Sequence, residues 1–204
     1  MAQLDLFSDS NNEFEIIQIQ DGEYIYVPNF FSKDESDLYF KMLLNEINWK
    51  QQVINMYGKS INFPRLTAWY GDNDKPYSFS GIILEPESWI QPLFEIKQLI
   101  ETKYSTVFNS VLLNLYRNGN DSISWHTDAE KELGRNPIIA SVNFGATRKF
   151  QLRHNVTNDK VELNLSHGSL LIMQGELQHN WQHQVPKTKQ LVKERINLTF
   201  RLIK

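Results

Sequence analysis

From about residue 110 onward, short runs of alternating apolar and polar residues follow one another along the chain. The final run, Arg195-Ile-Asn-Leu-Thr-Phe-Arg201, alternates most regularly. A period of two puts Arg195, Asn197, Thr199 and Arg201 on one face of a strand, and Ile196, Leu198, Phe200 and Leu202 on the other. The same rule sets Asn114 and Tyr116 opposite Leu113 and Leu115 in the run 111–117. Further runs at 123–127, 138–144, 148–154, 161–165, 169–174, 179–185 and 194–202 are parted by turn signals such as Asn118-Gly-Asn-Asp121, Asn158-Asp159 and His167-Gly168. About eight short strands in succession predict a jelly roll or barrel.

The first half is patterned differently. Residues 14–27 alternate around Asp21-Gly22 and predict a hairpin. Ser32-Lys-Asp-Glu35 is a capping box. It opens a helix expected to run to about Trp49, with Leu38, Met42, Leu43 and Ile47 on one face as a buttress for the sheet. A second helix is expected from about Trp89 to Tyr104, with Pro92 in its first turn and Ile90, Leu93, Ile96, Leu99 and Ile100 apolar. Between the helices, residues 50–85 are polar, aromatic and without helical periodicity. Such stretches in a compact domain are usually lids or binding loops. Residues 1–12 read as a polar, acidic tail and residues 13–204 as one domain.

Composition narrows the classes. The 204 residues carry a net charge of −3 and no cysteine. That excludes a disulfide scaffold, an iron–sulfur cluster and a thiolate metal site, and agrees with a reducing, cytoplasmic setting. No apolar run approaches the roughly 20 residues of a membrane helix, and the N-terminus does not read as a signal peptide. Any nucleic-acid contact must come from a local basic patch, not the global field.

The candidate chemistry lies on the polar strand faces. Two arginines on a central strand need partners if buried, and arginine is suited to bidentate carboxylate recognition. Asn114 and Tyr116 add hydrogen-bond donors. Their strand leads into His126-Thr127-Asp128, where an imidazole and a carboxylate one residue apart can face one point. A third ligand would complete a facial triad with open positions for Fe(II) chemistry. The pair alone is weak: with five His and ten Asp, a chance His-x-Asp arises roughly one time in four. Downstream His154, His167, His179 and His183 are available. His167 reads as a turn residue. His179 and His183 share a strand face, with His183 ranked ahead.

Taken together, Asn114-Leu-Tyr116, His126-Thr-Asp128, Ala140-Ser-Val-Asn-Phe-Gly145, His167-Gly-Ser-Leu-Leu171, His183-Gln-Val-Pro186 and Arg195–Arg201 resemble the AlkB family of Fe(II)/2-oxoglutarate-dependent nucleic-acid dealkylases, and most nearly its double-strand-repairing branch. The resemblance covers about residues 50–204. It implies an α+β, mainly β fold: a double-stranded β-helix (jelly-roll) core, two buttressing helices and a nucleotide-recognition lid at 50–85. It implies Fe(II) on His126, Asp128 and His183, and 2-oxoglutarate held by Asn114, Tyr116, Arg195, Asn197 and Arg201, with O2 as oxidant. Tyr77, Phe79, Trp125 and Glu130 would form the base pocket. Tyr57, Gly58, Lys59, Arg65, Lys187 and Lys189 would contact DNA. The activity implied is oxidative dealkylation of 1-methyladenine and 3-methylcytosine in single- or double-stranded DNA by a monomer, releasing formaldehyde, succinate and CO2. The alternative is the same chemistry on RNA or a substrate other than nucleic acid. Ala129, where that branch commonly has an acidic residue, and the short loop Asn155–Lys160 leave strand preference open. Gln3-Leu4-Asp5-Leu6-Phe7 looks like a bacterial sliding-clamp binding peptide.

Overall fold

A computed structural model describes residues 14–56, 59–72, 77–79, 82–84 and 86–204. In chain order, β1 (Ile17–Ile19), β2 (Gly22–Val27) and α1 (Lys33–Glu46) are followed by β3 (Val53–Met56), β4 (Lys59–Asn62), β5 (Leu66–Gly71), β6 (Tyr77–Phe79) and β7 (Ile82–Leu84). Helix α2 (Gln91–Tyr104) leads into β8 (Ser110–Tyr116), β9 (Ile123–His126), β10 (Ile139–Gly145), β11 (Arg148–His154), β12 (Lys160–Leu165) and β13 (Ser169–Gln174). A short α3 (Leu177–Asn180) precedes β14 (Trp181–Val185) and β15 (Arg195–Arg201). The eight predicted strands of the second half are all present. The expected strand start at 179 is instead the end of α3.

Seven strands pair in the order β1-β2-β13-β10-β15-β8-β5, and four pair as β12-β11-β14-β9. The large sheet is buried on both faces, and the period-two pattern decides what each face meets. Leu113, Leu115, Ala140, Val142, Phe144, Leu170, Ile172, Ile196, Leu198 and Phe200 form one core with Leu43 and Ile47 of the α1 region and Leu93, Ile96 and Ile100 of α2. Tyr116, Ile139, Leu171 and Met173, on the other face, pack against Phe150, Leu152, Trp181 and Val185 of the small sheet. Two facing antiparallel sheets with helices on one outer side make a mainly β α+β jelly roll.

The capping box forms as read. Ser32 Oγ accepts from Glu35 N at 3.3 Å, and Ser32 N donates to Glu35 Oε2 at 2.8 Å. The buried face of α1 is rotated from expectation. Leu38 is 56% exposed, whereas Ser36 is fully buried. Ser36 is small enough to let the helix close on Gly168, whose φ is +77° and whose added Cβ would lie 2.3 Å from Ser36 Oγ. Part of the expected lid is core: Ala68, Trp69 and Tyr70 of β5 are buried in the large sheet. Its aromatic run obscured an ordinary sheet strand.

Candidate metal centre and anion pocket

β9 and β14 pair with His126 directly opposite His183, and their rings lie 4.1 Å apart. The chain leaves β9 after His126 and brings Asp128 back within reach. One ligand atom from each of His126, Asp128 and His183 lies within 4.8 Å of the others. His126 Nδ1 meets the Ser124 carbonyl oxygen at 2.8 Å, which makes it the protonated nitrogen and leaves Nε2 with a lone pair 3.9 Å from Asp128 Oδ1. Asp128 is held from two sides. Arg201 Nη2 contacts Oδ2 at 2.9 Å, and the Asp128 N–H donates to Gln178 Oε1 at 2.9 Å. Oδ1 is buried with no hydrogen-bond partner.

The electrostatics keep Asp128 and His183 in ligand form. Burial alone would raise the Asp128 pKa, but Arg201, then His183 and His126, hold it well below the usual carboxylate range. Burial first, then His126, pushes His183 down to about 3, so its imidazole is neutral at physiological pH. A carboxylate with one oxygen tied and the other without a hydrogen-bond partner, beside two imidazoles, fits a divalent cation. The three other histidines are engaged elsewhere. His179 is exposed on α3 and accepts from Asn136 N at 3.4 Å. His167 Nδ1 accepts from Gly145 N at 2.8 Å. His154 Nδ1 accepts from Thr157 N at 3.1 Å.

A narrow cavity runs from this triad between the sheets, past Asn114, Tyr116, Asn197 and Thr199 to Arg195. Arg195 is 1% exposed. Its Nη2 donates to Asn143 Oδ1 at 2.5 Å, while Nε and Nη1 are buried without a hydrogen-bond acceptor. Its guanidinium lies 4.9 Å from the Tyr116 ring centroid. Burial lowers its pKa to about 10, with Tyr116 opposing and Arg148 reinforcing the shift, so it stays charged. A buried cation with idle donors calls for an anion. Arg201 stands at the opposite end of β15, on Asp128, so the two arginines mark the two ends of the pocket. Sequence reading missed Asn143, Ser141 and Gln178. The first two carried the same signal as β15, polar positions alternating with Ala140, Val142 and Phe144. Gln178 carried none, because a helical turn brings it under Asp128.

Other expected site residues fall as follows. Arg65 is 4% exposed and donates from Nε to Asn114 Oδ1 at 2.6 Å. Its assignment as a DNA contact is corrected, because a buried guanidinium tied to the pocket wall is not offered to a phosphate. Trp125 lies under Arg153, 4.6 Å from guanidinium carbon to ring centroid, and Arg153 bonds Gln182 at 2.9 Å. Both partners are on the outer face of the small sheet, which takes Trp125 out of the base pocket. Glu130 precedes a short 3-10 turn, Lys131–Leu133, and is half-buried. Lys187 and Lys189 are exposed beyond β14. Lys59 is on β4, and Tyr77 and Phe79 are on β6. Tyr57, Gly58 and Gln3–Phe7 lie outside the described residues.

Two histidines and a carboxylate converging inside a jelly roll are the donor set of the non-haem Fe(II) oxygenases. Comparison with known proteins agrees. The family model for the 2OG-Fe(II) oxygenase superfamily matches residues 23–201. The chain is 44% identical to alpha-ketoglutarate-dependent dioxygenase alkB homolog 3 of Bos taurus, over 86% of this chain and 64% of that protein. It is 39% identical to DNA oxidative demethylase ALKBH2 of Homo sapiens, over 85% of this chain and 70% of that protein. Among solved structures, OsALKBH1 superposes with a TM-score of 0.63 at 16% identity, covering 92% of this chain and 100% of that one. A prolyl hydroxylase from Trichoplax adhaerens superposes with 0.59 at 14% identity, covering 87% and 83%. At these identities the structural matches speak for the fold. The chain belongs to the 2OG-Fe(II) oxygenase superfamily. Fe(II), 2-oxoglutarate and O2 are the reactants of that family. The chain spans about 64% of the length of the alkB homolog 3 relatives.

Proposed function

We propose that this protein removes alkyl groups oxidatively from N-alkylated nucleobases such as 1-methyladenine and 3-methylcytosine in DNA, acting as a monomer in the cytoplasm. Fe(II), 2-oxoglutarate and O2 together supply the oxidation, in which the co-substrate becomes succinate and CO2 and the hydroxylated alkyl group leaves as formaldehyde. His126, Asp128 and His183 would hold the metal. Arg195, helped by Asn114, Tyr116 and Asn197, would bind the distal carboxylate. Arg201 would fix Asp128, so that its free oxygen stays aimed at the metal. The apolar walls, including Leu112, Ile123, Phe150, Met173 and Val185, would exclude water from the reacting centre. The base must leave its stack to reach such a buried site, and a damaged base is flipped at lower cost. Tyr77, Phe79 and Glu130 are the proposed base contacts, and Tyr57, Gly58, Lys59, Lys187 and Lys189 the proposed DNA contacts.

One observation carries this reading. A two-histidine, one-carboxylate triad, with Asp128 and His183 buried, opens into a cavity that ends on a buried arginine with idle donors. That combination suits a diacid chelated at one end, and the named demethylases among the relatives supply the substrate class. The test is product analysis on 1-methyladenine and 3-methylcytosine in single- and double-stranded DNA, with Fe(II) and 2-oxoglutarate. Unmodified base, formaldehyde and succinate are expected, and all are lost in His126→Ala. Failure of every alkylated oligonucleotide to stimulate succinate release would refute the repair reading. Gln3–Phe7 is the proposed clamp-binding peptide. Unchanged clamp affinity after deletion of residues 1–8 would refute that part alone.

A further inference from the structure

The Asn114 side chain is held between two groups that allow its amide one orientation. Arg65 Nε donates to Oδ1 at 2.6 Å, and Asn114 Nδ2 donates to Asn197 Oδ1 at 3.4 Å. A guanidinium has donors only. The atom facing Arg65 must therefore be the carbonyl oxygen, which turns the NH2 group away from Arg65. The ordering continues across the sheet, because Thr67, Asn114, Asn197, Asn143 and Ser169 are successive cross-strand partners on β5, β8, β15, β10 and β13. Asn197 Oδ1 also accepts from Thr199 Oγ1 at 3.1 Å. The Asn197 NH2 then faces Ser141 Oγ at 2.8 Å and Asn143 Oδ1 at 3.3 Å. That last oxygen also accepts from Arg195 Nη2 at 2.5 Å. A directed chain of amides thus runs across the pocket wall, with an arginine at each end.

Arg65 is an expensive way to fill space. It is 4% exposed, and its hydrogen bonds go to Asn114 and, at 3.4 Å, to the Ser122 carbonyl oxygen. Phe63 packs against it, with the guanidinium carbon 4.9 Å from the ring centroid. We propose that Arg65 is a positioning residue for 2-oxoglutarate: it locks the Asn114 amide so that Nδ2, a cavity-wall donor, serves the carboxylate bound by Arg195. This rests on the co-substrate pocket proposed above.

The test is calorimetric titration of 2-oxoglutarate into the full chain loaded anaerobically with Mn(II). For Arg65→Met a loss of about tenfold in affinity is expected, the worth of one well-placed hydrogen bond to a charged group. KM for 2-oxoglutarate rises in step, while KM for a methylated oligonucleotide does not. Arg65→Met added to Asn114→Ala produces no further loss, because the two act through one amide. Arg65→Lys keeps a donor and recovers most of the affinity; Arg65→Gln, whose amide lets Asn114 take either orientation, serves in place of the Met variant if that one does not fold. Wild-type affinity for 2-oxoglutarate in Arg65→Met would overturn the proposal. So would oligonucleotide binding weakened uniformly, with a salt slope smaller by about one, which marks a phosphate contact. If the unaltered protein binds no 2-oxoglutarate, the pocket reading itself falls, a result distinguishable from failure of Arg65 alone.

Discussion

Single residues at this site work by leaving one atom uncommitted. Asp128 gives Oδ2 to Arg201 and keeps Oδ1; Arg195 gives Nη2 to Asn143 and keeps Nε and Nη1. Buried polar atoms without a protein partner cost free energy, so a ligand that meets both ends is bound favourably. Asp121 shows the opposite condition, a carboxylate fully used within the fold. It takes the Arg117 N–H at 2.9 Å and Arg117 Nε at 2.7 Å, and sits 5% exposed at the turn that carries β8 towards β9. Burial raises its pKa, but the Arg117 bonds prevail and leave it lowered. A folded-state pKa below the unfolded one means that the stabilisation is present above about pH 4, the unfolded value, and fades as pH falls through the folded value. Asp121→Asn should therefore be less stable than the unaltered protein by about 1–3 kcal/mol at pH 7. The gap should narrow steadily below pH 4. Urea unfolding at pH 7, 5 and 3 checks both the size and the sign.

Elements matter here through the faces they turn inward. β8, β10 and β15 each send apolar residues to the helices and polar residues to the cavity, so a one-residue slip in register would bury Arg195 against α1 and α2. This alternation was readable from sequence on β8 and β15, and it marked the pocket wall there. The rotation of α1 was not readable. Helical periodicity nominated Leu38, but the turn before β13 presents Gly168 at φ +77°, and only the small Ser36 fits there. Phe31 N also donates to Gly168 O at 3.0 Å, tying the helix start to that turn. Gly168→Ala should lose about 1–3 kcal/mol, the usual cost of a strained backbone position, and more if α1 shifts. Thermal unfolding measures it. A drop of under 0.5 kcal/mol would show that the α1 contact gives way easily.

At the scale of the molecule, the pocket lies between the two sheets, so ligand binding is linked to folding. Anything that binds the folded chain and not the unfolded one stabilises it by mass action. Mn(II) with 2-oxoglutarate, each at about 100 times its Kd, should add roughly 2.7 kcal/mol per ligand. For a chain of this size that raises the melting temperature by about 5–10 °C per ligand. The shift should vanish in His183→Ala and reverse with a chelator. A melting temperature indifferent to both ligands would contradict the assigned pocket. No helix among the described residues is long and apolar enough to cross a membrane.

The alternating pattern by itself determined the strands, the two faces of β8 and β15, and the set of residues from which a metal and carboxylate site had to be drawn. Those follow from local geometry, because side chains on a pleated strand can only alternate. Tertiary structure supplied the reason that His183 and not His179 joins the triad. The sequence ranked His183 only modestly ahead of His179 on one strand face, and packing separates them outright: α3 carries His179 into solvent while β14 pairs His183 opposite His126. It also moved Arg65 from a surface role to the pocket wall and Trp125 from the pocket to the outer face. Burial and cross-strand partnership are properties of packing between distant segments, and no local period encodes them.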